Sequence, residues 1–171
     1  MGGAGRTGHA KTRRPIAPKS HYHIVLKSQK ARGPLSMLRP ERRLRIQKLI
    51  YTKARQFFVR IDSYSNVGNH LHLKVYAQGS REFQNFLRTI TALISRLVTG
   101  AKKGVKFGRF WDGLVFTRIL RSKAEHEILS RYIFANTLEA TFGRATRNEY
   151  LELWYKVPGW RKRLKPILLG L

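Results

Sequence analysis

The stretch "FFVRIDSYSNVGNHLHLKVYAQGS", residues 57–80, constrains the fold of this chain more than any other. Its first part sets Phe57, Val59 and Ile61 against Phe58, Arg60 and Asp62, and its second interleaves His70 and His72 with Leu71, Leu73 and Val75. A repeat of two is the signature of a strand with one face toward a core. The "NVGN" between the two runs is turn chemistry, so the stretch predicts a β-hairpin. A hairpin alone is marginally stable in water, so the flanking segments must cover one of its faces.

Those segments supply the cover. "HYHIVLKS" (His21–Ser28) predicts a first strand, and Pro40 to about Phe57 predicts a basic amphipathic helix with Leu44, Ile46, Leu49, Ile50 and Ala54 near helical spacing. After the hairpin, Ser80 is the expected cap of a second helix. Phe83, Phe86, Leu87, Ile90, Leu93, Ile94 and Leu97 give that helix a continuous apolar stripe, and Gly100 ends it. "LVFTRILRS" (Leu114–Ser122) predicts a fourth strand and "KAEHEILSRYIFANTLEA" a third helix.

The order β, α, β, β, α, β, then α is that of an α+β ferredoxin-like sandwich: an antiparallel sheet with helices on one face, plus a C-terminal helical extension. In that topology the first and third strands are central neighbours, which brings His21 or His23 toward His70 or His72. The expected organisation is a flexible basic arm over 1–19, a domain over 20–140 and a basic extension over 141–171.

Thirty-five Lys and Arg against nine Asp and Glu give a formal charge of +26 on 171 residues. Such a chain repels itself unless a polyanion neutralises it, and nucleic acid is the first candidate partner. Membrane binding is not expected: the charge is spread along the chain rather than gathered on one basic amphipathic helix, and no apolar run approaches a membrane span. Cysteine is absent, which excludes disulfides, thiolate metal sites and thiol nucleophiles and suits a cytoplasmic, nucleoid-associated protein.

His70 and His72 share one strand face with Cα atoms roughly 6.6 Å apart, close enough for two imidazoles to converge on one ion. A divalent metal there would polarise a phosphate oxygen. The same spacing also fits an ordinary polar strand face, and the pair alone does not decide between them. His126, between Glu125 and Glu127, reads as a solvated helix start, because adjacent helical positions face different ways.

Taken with "HYHIVLKS", "VGNHLHLKV", "GRFWDGLVFTRIL" and "RYIFAN", the histidine strand resembles the single-tyrosine HUH transposases, especially the REP-associated tyrosine transposases, over roughly His21–Ala140. The resemblance implies an HUH-type fold, Mg2+ or Mn2+ at His70 and His72, and single-stranded or hairpin DNA as substrate, and it leaves a homodimer open. It further implies a tyrosine on the helix after the histidine strand, which attacks the phosphate, and a polar residue one turn later. On that helix the expected positions are Ile94 and Val98, and no tyrosine stands between Tyr76 and Tyr132. An aliphatic side chain cannot form a phosphotyrosine.

The expected binding surface comprises Arg13 and Arg14 in the arm, Lys27, Lys30 and Arg32 after the first strand, and Arg39, Arg42, Arg43 and Arg45 on the first helix. It continues through Lys102, Lys103, Lys106, Arg109 and Trp111 in the "AKKGVKFGRFWDG" loop to Arg161, Lys162 and Arg163 near the C-terminus. Phe107, Phe110, Trp111, Trp154, Tyr155 and Trp160 are interleaved with these charges. They either stack unpaired bases or close the core, the latter expected for Phe110.

The sequence thus predicts a transposase-derived protein that binds single-stranded or hairpin DNA without tyrosine-dependent cleavage. The alternatives are an active metal-dependent transposase or endonuclease and an RNA-binding component of a ribonucleoprotein.

Overall fold

The computed structural model describes residues 16–102, 104 and 107–156. The elements are β1 (Ser20–Lys27), a short 3-10 turn (Gly33–Leu35), α1 (Pro40–Gln56), β2 (Val59–Asn66), β3 (His70–Ala77), α2 (Ser80–Thr99), β4 (Phe116–Leu120), α3 (Lys123–Phe142) and α4 (Arg144–Lys156). The strands form one antiparallel sheet in the order β2-β3-β1-β4, with β1 and β3 central as the sequence predicts.

Alternation along the strands sorts the side chains onto two faces. Tyr22, Ile24 and Leu26 of β1 and Leu71, Leu73, Val75 and Ala77 of β3 are buried in the main core, against α1 and α2. From α2 come Phe83, Phe86, Leu87, Ile90, Ile94 and Val98, spaced three or four apart so that all fall on one side of the helix. Each such side chain, once buried, contributes about 1.5–3 kcal/mol. The Tyr22 and Phe83 rings stack with centroids 4.1 Å apart. α1 adds Ile46, Ile50 and Ala54, while Leu44, an expected member of that stripe, is 59% exposed.

Local chemistry places several boundaries differently from the sequence prediction. Phe58 has φ 54°, so the chain leaves α1 through a left-handed residue and β2 starts only at Val59. Ser80 is the first residue of α2 rather than its cap: Gly79 holds the cap position with no side-chain bond. Ser122 instead caps α3, accepting from the Glu125 N–H at 3.2 Å while Glu125 accepts in return from the Ser122 N–H. Gly100 closes α2 in the left-handed conformation, as expected. The β2–β3 turn needs its glycine, since Gly68 sits at φ 93°.

α1 and α2 cover one face of the sheet, and α3 lies against the other. Buried Lys74 on β3 donates to the His126 carbonyl (3.2 Å) and to Ser130 Oγ (3.0 Å), fixing the helix over β2 and β3. α4 packs on the far side of α3 through Ala135, Leu138 and Tyr150. No helix among the described residues is long and apolar enough to cross a membrane.

Candidate nucleic-acid-processing site

The face that α3 crosses carries the histidines. His23 Nε2 on β1 lies 3.3 Å from His72 Nδ1 on β3, the approach that the strand order predicts. The two rings are within 19° of parallel with centroids 5.6 Å apart, so the bond runs edge to edge near the ring planes. His70 stands beside them, its ring 4.7 Å from that of His72 and at 80° to it. His70 Nδ1 bonds Asn69 Oδ1 at 2.6 Å; since that oxygen only accepts, Nδ1 carries the proton and Nε2 keeps its lone pair.

Burial governs the protonation of all three. His72 is pushed down to about 3 by desolvation, with His70 and His23 adding to the effect. His23 is pushed down to about 4 by desolvation and then by Arg118, and His70 is lowered by desolvation and then by Lys27. At neutral pH the imidazoles are uncharged, the state that binds metal ions.

The side chain opposed to this cluster comes from α3. The Tyr132 ring meets the His72 ring edge-on at 5.1 Å, and Tyr132 is 42% exposed. Asn136 lies one turn further along the same side of α3, buried, with its amide nitrogen unpartnered; Nε2 of His72 is likewise buried without a partner, as is Oγ of Ser65, which faces His72 across the β2–β3 pair. A buried polar atom without a partner costs roughly 1–3 kcal/mol, so Nε2 of His72 and Oγ of Ser65, opposite each other across the strand pair, mark a place built for something polar. The donor set fits a divalent ion: Nε2 of His70, Nε2 of His72 in the tautomer whose Nδ1–H donates to His23, and from α3 the Asn136 amide, whose oxygen and nitrogen are interchangeable by a flip. Among the described residues there is no group of three or more His, Cys, Asp or Glu side chains placed to hold a metal, so the amide would have to take part.

Ile94 and Val98, where the resemblance points for the tyrosine and its polar companion, are buried in the core on the opposite face. No side chain there can reach the histidines through the sheet. The sequence does carry the signal for the pair that does face them: in "RYIFAN", Tyr132 and Asn136 stand four residues apart, which puts them on one side of a helix. His126 also departs from expectation. It is half-buried, its ring 4.5 Å from that of His21.

The basic residues fall into two groups. Lys27 is paired across the sheet with His70, and the loop before β4 is tied to this end of β1. Ser28 Oγ donates to the Phe110 carbonyl (2.5 Å), the Asp112 N–H to the Lys27 carbonyl (3.0 Å) and the Gln29 N–H to Asp112 Oδ1 (2.7 Å). That tether brings Lys30 and Arg109 together, Lys30 donating to the Arg109 carbonyl at 2.7 Å with its ammonium over the Phe107 ring. Arg32 and Lys102 are exposed, and Phe110 is buried, as expected. The Trp111 indole N–H donates to the Thr91 carbonyl (2.9 Å), so the ring docks the loop onto α2.

The second group is on α1, across the sheet from the histidines. Arg39 pairs with Glu41 at 2.7 Å, Arg42 donates to the Pro34 and Ser36 carbonyls, and Arg45 is exposed. Arg43 lines a cleft of about 420 Å³ at the β2 edge, with Tyr64 and Thr137 among its walls. Arg13, Arg14, Lys103, Lys106, Arg161, Lys162 and Arg163 lie outside the described residues.

An antiparallel α+β sandwich with two helices on one face and a histidine pair on a central strand of the other is the HUH-type fold. One solved structure supports the fold: a REP-associated tyrosine transposase bound to a REP hairpin superposes with a TM-score of 0.62 at 16% identity, over 78% of this chain and 76% of that one. A transposase-like protein from Deinococcus radiodurans R1 is similar at a TM-score of 0.47 and 15% identity, over 74% of this chain and 98% of that one. No family model matches the sequence, and no curated protein matches it.

Proposed function

We propose that this chain binds hairpin or single-stranded DNA on its histidine face and cleaves it through Tyr132. The observation that carries the reading is the edge-on contact of Tyr132 with His72 at 5.1 Å, which sets an accessible phenol against the histidine pair. The solved REP-associated transposase is bound to a REP hairpin, and a charge of +26 suits the same class of partner.

In the step proposed, the Tyr132 phenol gives up its proton to solvent and its oxygen forms a new bond to phosphorus. One P–O ester bond of the strand breaks, and the departing sugar oxygen takes up a proton. One phosphodiester is exchanged for another, so the covalent adduct stores the bond for rejoining. His70 and His72, with Asn136, would hold a divalent ion, whose chemistry there is to draw charge from the phosphate oxygens. Lys27 beside His70, then Lys30 and Arg109, offer a path of positive charge along which the backbone leads into the site.

The test uses the full chain with DNA hairpins bearing randomised single-stranded flanks, and Mg2+ or Mn2+. The expected product is a protein–DNA adduct that survives denaturation and is lost in Tyr132→Phe and in His72→Ala. Tight DNA binding with no adduct from the unaltered protein would overturn the cleavage step and leave a binding protein.

A further inference from the structure

The sheet register lays rungs of side chains across the histidine face. One rung runs Phe116 (β4), Val25 (β1), His72 (β3), Ser65 (β2), and the next runs Arg118, His23, Lys74, Ser63. α3 closes the face over β2 and β3. Toward the start of β4 the face opens, with Phe116 52% exposed and Tyr132 42% exposed.

Phe116 is a large apolar ring on an edge strand, in none of the buried clusters. A single exposed phenylalanine ordinarily needs no explanation. This one continues an arc of rings: Phe116 meets His23 edge-on at 5.9 Å, His23 bonds His72, and His72 meets Tyr132. Two strand spacings, about 10 Å, separate Phe116 from His72 across the sheet, a distance one nucleotide covers from phosphate to base. Arg118, two residues along β4, and Lys27, on β1, place cations on either side.

We propose that Phe116 is the stacking platform for the nucleobase next to the attacked phosphate, so that the site takes an unpaired base as well as a backbone. The ligand class is a nucleobase of single-stranded DNA, held face to face with the ring while the cations hold its phosphates. The assignment rests on the histidine face being the DNA site.

The test measures affinity of the full chain for two probes, a DNA hairpin with a randomised single-stranded flank and the same hairpin with that flank abasic, which keeps the phosphates and removes the bases. The unaltered protein is expected to prefer the base-bearing flank by roughly five- to a hundredfold. Phe116→Leu, which keeps apolar bulk without a ring, should bring the preference close to one, and Phe116→Trp should keep it. A preference unchanged in Phe116→Leu overturns the stacking assignment, as does a loss that falls equally on both probes. The adduct assay separates the two readings: an adduct formed with the preference intact in Phe116→Leu removes only the platform, whereas a lost preference without any adduct removes only the cleavage.

Discussion

His23 Nε2 and His72 Nδ1 meet at 3.3 Å between the two central strands, and both imidazoles are held neutral by burial. Their acid behaviour follows. In the folded chain His72 is pushed down to about 3 and His23 to about 4, against an ordinary value of 6.5, so the unfolded chain binds more protons throughout the window between. Stability from these groups is complete above pH 6.5 and is lost as pH falls toward the folded values. His72 alone should cost about 1 kcal/mol by pH 5.5. Urea midpoints from pH 7.5 to 5 should fall, and His72→Asn should flatten the profile; an equally steep profile in the variant would contradict the account.

The strand order, the central pairing of β1 with β3 and the meeting of His23 with His72 were all legible, because alternation and element order determine them. The placement of α3 was not. An apolar stripe names a buried face only when one neighbour covers it, and α3 has several: Leu129 and Ile133 pack with Leu120, Ala135 and Leu138 pack with Tyr150, and Ser130 receives Lys74. With its apolar residues divided among these partners, the sequence does not announce which side meets the sheet. The stripe on α2 was plain by contrast, and for that reason Ile94 had to be core. A helix with such a stripe has no room on that side for a nucleophile.

The docking of α3 depends on a buried cation. Ser130 Oγ accepts from Lys74 Nζ at 3.0 Å and donates to the His126 carbonyl at 2.8 Å. Ser130→Ala removes only the hydroxyl, adds no bulk at a buried position and withdraws one acceptor from a buried ammonium, a loss of about 1–3 kcal/mol. Native-state hydrogen exchange should quicken in α3 ahead of α2. Uniform acceleration across both helices would mean that the bond does not hold α3 in particular.

Affinity for DNA should depend steeply on salt. If about six or more phosphates are neutralised by the Lys27, Lys30 and Arg109 group and the remaining cations, binding falls roughly a thousandfold between 50 and 200 mM salt. Lys27→Ala should lower the slope of log affinity against log salt by about one. A flat response in the unaltered protein would falsify the charge-led mode of binding.

The position of the nucleophile can be tested by attempting to move it. Ile94 is 0% exposed and belongs to the core packed behind the sheet, whereas Tyr132 stands in front of it against His72. Ile94→Tyr forces a larger ring with a hydroxyl into filled space, which should destabilise the chain by about 1–3 kcal/mol in urea unfolding. Because the sheet lies between position 94 and the histidines, Ile94→Tyr should not restore adduct formation to Tyr132→Phe. Adduct formation by the double variant would place the reactive centre on the α2 side and overturn the assignment of Tyr132.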